Sequence, residues 1–421
     1  MLAALCIALV SSSAAAPPPF DFTHFEDVLF PAWRRLFQSG ADAAGGEYSL
    51  KQGEPTSVYG ATDMVYALHA AGQLGNLTRA ERTRWGATIN GFQNSSSGFF
   101  AVAPFEAMHT ANPPFANHTW HASGAAVETL RLLSSADTGD GSSSSSSSSS
   151  AIVPPLQPPA PIRAVEALLA AGPPAWRVFL ARWLSGYGDV WMGSQAVQSL
   201  AAAAKLARLS TANASAARAP FAAWLLSALN GTVSGATGMW DGTPHQDAKH
   251  QLGGAFHLFH VYQCSLGEAA AAGGAWSPHA AAAVDTVLAA QHGGANGSGT
   301  WGSAGAWAGR SEWGTVTSCI DLDGVYAATR GALAAAGGGG TERPPYRWAD
   351  VKAACAAYLR TAAFVLNNAS FVLEEKLYAQ DTHLLHGPMY AVAECQRHFP
   401  ELVRTRRPWG RWTDSASCIY A

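Results

Sequence analysis

A chain of 421 residues with 48% hydrophobic and only 13% charged side chains has ample apolar material for a large core and too little charge to stay unfolded. Its formal net charge of -3 and its lack of Lys/Arg runs exclude an electrostatic nucleic-acid partner, because neutralising phosphates takes clustered cations. No stretch beyond the N-terminus is apolar enough for a membrane span.

In chain order, residues 1–16 read as a signal peptide. A short apolar run to Val10 leads into Ser-Ser-Ser-Ala-Ala-Ala16, an Ala-x-Ala cleavage site ahead of Pro17. The expected destination is the secretory lumen or the cell exterior. Of ten Asn residues, seven open an Asn-x-Ser/Thr acceptor: Asn76, Asn94, Asn117, Asn213, Asn230, Asn296 and Asn368. Chance would supply about one or two, so the excess points independently to a glycoprotein. Removing the leader takes Cys6 and leaves Cys264, Cys319, Cys355, Cys395 and Cys418, whose spacing matches no metal motif. One or two disulfides are expected in an oxidising compartment, with their pairing open.

Six segments then share a small or polar start followed by an apolar helical run: Ala61–Leu68, His121–Leu130, Met192–Leu200, His250–Leu258, Ile320–Ala327 and His386–Val392. Their starts lie about 60 to 70 residues apart, which suits a helix pair plus loops. Between them the periodicity predicts further helices: Thr78 to Asn90, opened by a Thr78/Glu81 capping box, then Pro174 to Leu184, Ala216 to Leu229, Pro278 to His292 and Tyr346 to Leu366. Strand alternation is nearly absent. The expected fold is all-α, an (α/α)6-type toroid of alternating inner and outer helices spanning residues 20–421 as one domain. Residues 134–161, with nine consecutive serines (Ser142 to Ser150) and a Pro-rich tail, are expected to form a disordered surface insertion.

The ends of the outer helices carry Gly and an aromatic: Gln93 to Phe99, Thr237-Gly-Met-Trp240 and Gln291 to Trp301. This periodicity resembles the Gln-…-Gly-Trp repeat of the squalene cyclase and prenyltransferase α/α-toroid superfamily over roughly residues 55 to 400. Asp321-Leu-Asp323-Gly is similar to the Asp-x-Asp-Asp acid motif of class II terpene cyclases, with Asp323 matching the protonating acid and Gly324 standing where the last Asp falls. Asp323-Gly-Val-Tyr326 is similar to the zinc-binding Asp-Gly-Cys-Tyr of protein prenyltransferase β subunits, with Val325 at the Cys position and His386 near the zinc His. That resemblance implies Asp323 and His386 as metal ligands; no cofactor is favoured otherwise. Many glycan-active hydrolases, lyases and epimerases share the toroid, an analogy of fold alone.

Inner-helix starts would line one mouth of such a ring, and polar groups gather there: Asp63, His121, Gln195, Lys249, His250, Asp321, Asp323 and His386. A pair of close carboxylates raises one pKa and creates a general acid, so Asp321 and Asp323, with His250 and His121, are the candidate catalytic groups. Asp63, Lys249, Gln195 and His386 are candidate substrate contacts, with Trp120, Trp191 and Trp240 as stacking walls. His257 and His260 are expected deeper, as hydrogen-bonded core groups. The favoured reading is a secreted enzyme acting on a glycan in a central polar cavity. The alternatives are an isoprenoid cyclase-like enzyme with Asp323 as Brønsted acid, and a non-catalytic binding toroid.

Overall fold

The computed structural model describes residues 19–40, 45–94, 100, 116–135, 160–185, 190–206, 212–240, 248–262, 278–292, 299–301, 319–336, 344–374 and 377–410. Within them helices dominate: α1 (Phe30–Leu36), α2 (Val58–Ala70), α3 (Arg79–Gly91), α4 (Ala116–Ser135), α5 (Ala160–Ala171), α6 (Pro173–Leu180) and α7 (Val190–Leu206) in the first half. The second half adds α8 (Ala212–Asn230), α9 (Ala248–His260), α10 (Ala280–Ala290), α11 (Cys319–Ala335), α12 (Trp348–Leu366), α13 (Ala369–Val372) and α14 (His383–His398). The described residues are therefore all-α apart from two isolated β-bridges and a two-residue parallel pair, β1 (Phe20–Asp21) with β2 (Val403–Arg404), which joins the two ends of the described chain.

Each of the six sequence segments falls in one helix: α2, α4, α7, α9, α11 and α14. These six pack in order, α2 on α4, α4 on α7, α7 on α9, α9 on α11 and α11 on α14, and α14 packs back on α2. The intervening helices lie against them. α3 packs on α2 and α4, α5 on α7 and α8, and α10 on α11 and α12, while α12 also meets α14. The α3 start is built as its sequence implies: Thr78 Oγ1 accepts the Glu81 N–H at 3.2 Å and Glu81 Oε2 accepts the Thr78 N–H at 2.7 Å. α5 was not expected, because its Pro-rich start merges with the insertion. Residues 136–159 of that insertion, and residues 1–16, lie outside the described residues.

The Gly-and-aromatic junctions have a structural purpose. Gly238 and Gly299 take positive φ values of 68° and 71°, which glycine adopts without steric cost. Each turn folds a tryptophan back onto the helix it follows. Trp240 Nε1–H donates to the Leu229 carbonyl at 3.1 Å, and Trp301 Nε1–H to the Val287 carbonyl at 2.7 Å. Both carbonyls belong to a last helical turn that has no intrahelical donor left. Trp240 is thus buried against Phe259 and Tyr262, which makes it a core residue and not an open stacking wall.

One buried ion pair ties α11 to α14. Arg330 donates from Nε and Nη2 to both oxygens of Glu394, which also accepts hydrogen bonds from Thr329 and His398. Cys355 and Cys395 are free thiols, and Cys395 hydrogen-bonds Cys355 across α12 and α14. Cys264 and Cys418 lie outside the described residues. Among the described residues, no helix is long and apolar enough to cross a membrane.

Candidate functional site

Two groups of buried polar side chains stand at the starts of these six helices. The first is on α11. Gly324 lies so close beneath the Trp301 indole that a Cβ there would be 2.3 Å from its Cδ2. That approach brings the Trp301 backbone N–H to Asp321 Oδ1 at 2.6 Å. Asp321 therefore anchors the turn before α11. Asp323, two residues on, points elsewhere on the helix, since i and i+2 do not share a face. It is buried, and among the described residues its Oδ1 has no hydrogen-bond partner. Burial, with the Asp321 charge second, pushes the Asp323 carboxyl well above the ordinary carboxylate range. The two carboxylates thus differ in kind: one is a backbone anchor, and the other is a buried acid whose pKa burial raises.

The second group joins α2 to the first turn of α14. Asp63 is fully buried and accepts the Thr382 hydroxyl at 2.9 Å. Its Oδ1 lies 3.3 Å from His383 Nδ1 and 3.9 Å from His386 Nδ1. Asp381 accepts the His383 backbone N–H at 2.8 Å. Next to them His121 Nδ1 meets the Tyr59 hydroxyl at 2.8 Å, with the His121 and His383 rings 5.9 Å apart. Burial lowers His386 to about 4. Burial also opposes charge on His383, but Asp63 and Asp381 outweigh it and raise that imidazole. Burial lifts Asp381 to about 6.

Asp63, His383 and His386 offer one donor atom each within 4.8 Å of one another, a grouping that could hold a metal ion. Among the described residues, Asp323 belongs to no such group, so the Asp323–His386 metal pairing implied by the prenyltransferase resemblance is replaced by Asp63, His383 and His386. His383 was missed by sequence reasoning. Its only local signal is His383-x-x-His386, the same spacing as His257-x-x-His260.

The remaining candidates scatter. Half-buried Trp191 on α7 meets the His250 ring of α9 in a T-shaped contact, with ring centroids 5.7 Å apart. Gln195 is half-buried on α7. The side chains of Lys249 and Trp120 lie outside the described residues. His257 and His260 are buried, bonded at Nδ1 to Ser194 Oγ (3.0 Å) and to the Phe256 carbonyl (2.9 Å), and burial lowers both to about 3. Among the glycosylation candidates, Asn76, Asn94 and Asn230 are exposed. Asn368 is half-buried and caps α13 through the Ser370 N–H. Asn296 and the side chains of Asn117 and Asn213 lie outside the described residues. No known protein family, curated protein or solved structure matches the chain.

Proposed function

We propose that the chain is an exported, N-glycosylated α/α-toroid enzyme that acts on a glycan as a hydrolase, lyase or epimerase. The ring reading is supported by the cyclic packing of α2, α4, α7, α9, α11 and α14, with the other helices packed against them. The observation that carries the chemistry is Asp323: a buried carboxyl with an unpartnered oxygen, its pKa raised by burial, near the start of one helix of that cycle. A neutral carboxylic acid at pH 7 is what protonation of a glycosidic oxygen requires. Trp191 with His250 supplies a half-buried aromatic face beside an imidazole, suited to stacking on a sugar ring. A divalent cation at the Asp63 group would add Lewis-acid chemistry to the same ring of helices.

The test is a screen of the secreted protein against plant and algal polysaccharides, with squalene and isoprenoid diphosphates as the contrast. Reducing ends report hydrolysis, and absorbance of an unsaturated product reports a lyase. Asp323→Asn should lower turnover of the true substrate by about 100- to 10,000-fold, the usual share of a general acid. Unchanged turnover, or turnover of isoprenoids alone, would overturn the reading.

A further inference from the structure

We infer that Asp63, His383 and His386 form a binding site for a divalent first-row transition metal, with Zn²⁺ the best-suited ion. This site stands independently of the glycan reading. Two imidazoles and one carboxylate suit zinc and its neighbours, whereas Mg²⁺ and Ca²⁺ take mostly oxygen donors. The spacing agrees. Tetrahedral zinc with bonds of about 2.0–2.1 Å sets its donors about 3.3 Å apart. The Asp63 Oδ1–His383 Nδ1 separation is 3.3 Å, and the 3.9 Å gap to His386 closes with a small ring rotation.

The surroundings are those of a supported site. The Thr382 hydroxyl holds the second oxygen of Asp63, leaving Oδ1 turned to the imidazoles. Asp381 fixes the first turn of α14 through the His383 N–H. Such outer partners set ligand orientation in metal sites. Asp63 and His386 are fully buried, while the His383 side chain is 31% exposed, which leaves a way in from the surface. Among the described residues three protein ligands converge, the ligand count of catalytic rather than structural zinc sites, and the Tyr59 and His121 rings each lie 5.9 Å from the His383 ring.

The full chain, stripped with chelator and dialysed, would be titrated with Zn²⁺ by calorimetry, with Mg²⁺ as the hard-cation contrast. Co²⁺ loading followed by visible absorption reads the ligand set directly. The expected result is one Zn²⁺ per chain, no Mg²⁺ uptake, and Co²⁺ bands that vanish in His383→Ala. Thr382→Val, which leaves every ligand in place, should weaken Zn²⁺ about 10- to 100-fold. His383 reaches the surface, so its truncation spares the core; should circular dichroism show that variant unfolded, isosteric Asp63→Asn tests the same ligand set. Sub-stoichiometric zinc, or equal affinity in wild type and the folded ligand variant, would reduce the group to a His383–Asp63 ion pair and overturn the proposal.

Discussion

Gly324→Ala sets two effects of opposite sign against each other. An alanine in a helix interior is favoured over glycine by about 1 kcal/mol, so propensity alone calls for stabilisation. Against it, the new Cβ would lie 2.3 Å from Trp301 Cδ2 and 2.6 Å from Cγ, where carbon contacts need about 3.5 Å. The indole cannot simply retreat. It is 3% exposed, its Nε1–H is held by the Val287 carbonyl, and its backbone N–H is held by Asp321. Overpacking costs about 1–3 kcal/mol, and a buried hydrogen bond lost with the shift about 1–3 more. The clash therefore wins, for a net loss of about 1–5 kcal/mol. The assay is the midpoint of urea or thermal unfolding, with Gly91→Ala as control: Gly91 is in α3 with nothing within 4 Å of the methyl that alanine would add, so that change should be neutral or stabilising. A Gly324→Ala midpoint at or above wild type would refute the packing argument. The same geometry bears on the cyclase resemblance, since Gly324→Asp would rebuild Asp-x-Asp-Asp only by driving a larger, charged side chain into the Trp301 ring.

Three further outcomes follow from local geometry. Glu394→Ala strands buried Arg330 and should cost about 3–5 kcal/mol in unfolding experiments. Burial alone would raise Glu394, but Arg330 and His398 outweigh it and hold the carboxyl well below its ordinary 4.5. That stability is present above about pH 4.5 and lost as the pH falls below it, a loss the Glu394→Ala variant should not show. Trp240→Phe keeps the apolar bulk and removes one of several hydrogen bonds to the Leu229 carbonyl, which still accepts the Thr232 and Val233 N–H groups, for a loss of about 0.5–1.5 kcal/mol by the same assay. Thr78→Ala opens the capping box and should cost about 1 kcal/mol.

What was legible in the sequence is what is local. The six apolar runs and their small-residue starts mark α2, α4, α7, α9, α11 and α14 because helical periodicity is written within one segment. The Thr78/Glu81 cap is legible for the same reason. Helix α5 was hidden because its start adjoins a Ser/Pro-rich tract with no periodic signal. Asp321 and Asp323 read as a pair from spacing alone, and only the fold separates an anchor of the Trp301 N–H from a neutral acid. The Asp63–His383 contact spans 320 positions of chain, so no local pattern could announce it. Packing of α14 on α2 creates that group, whereas the prenyltransferase resemblance had pointed to Asp323 with His386.

The acid role of Asp323 has a consequence for stability that can be measured without a substrate. A carboxyl whose pKa is raised in the fold contributes stability that is full below its unfolded value, near 3.8, and lost as the pH rises. Each pH unit climbed between the unfolded and folded values costs the wild type about 1.4 kcal/mol. Asp323→Asn removes the titration while keeping shape, so its unfolding midpoint should lack that slope. Its absolute level is set by a second effect, since the new amide must find partners at a cost of about 1–3 kcal/mol if it does not. The difference between the two pH profiles, not the midpoint at one pH, is therefore the diagnostic. Wild type should lose ground to Asp323→Asn as the pH rises above about 4; parallel profiles would show that the fold does not raise the Asp323 pKa and remove the neutral acid from the reading. A residue whose neutralisation relieves the fold and yet abolishes turnover is placed for chemistry and not for packing.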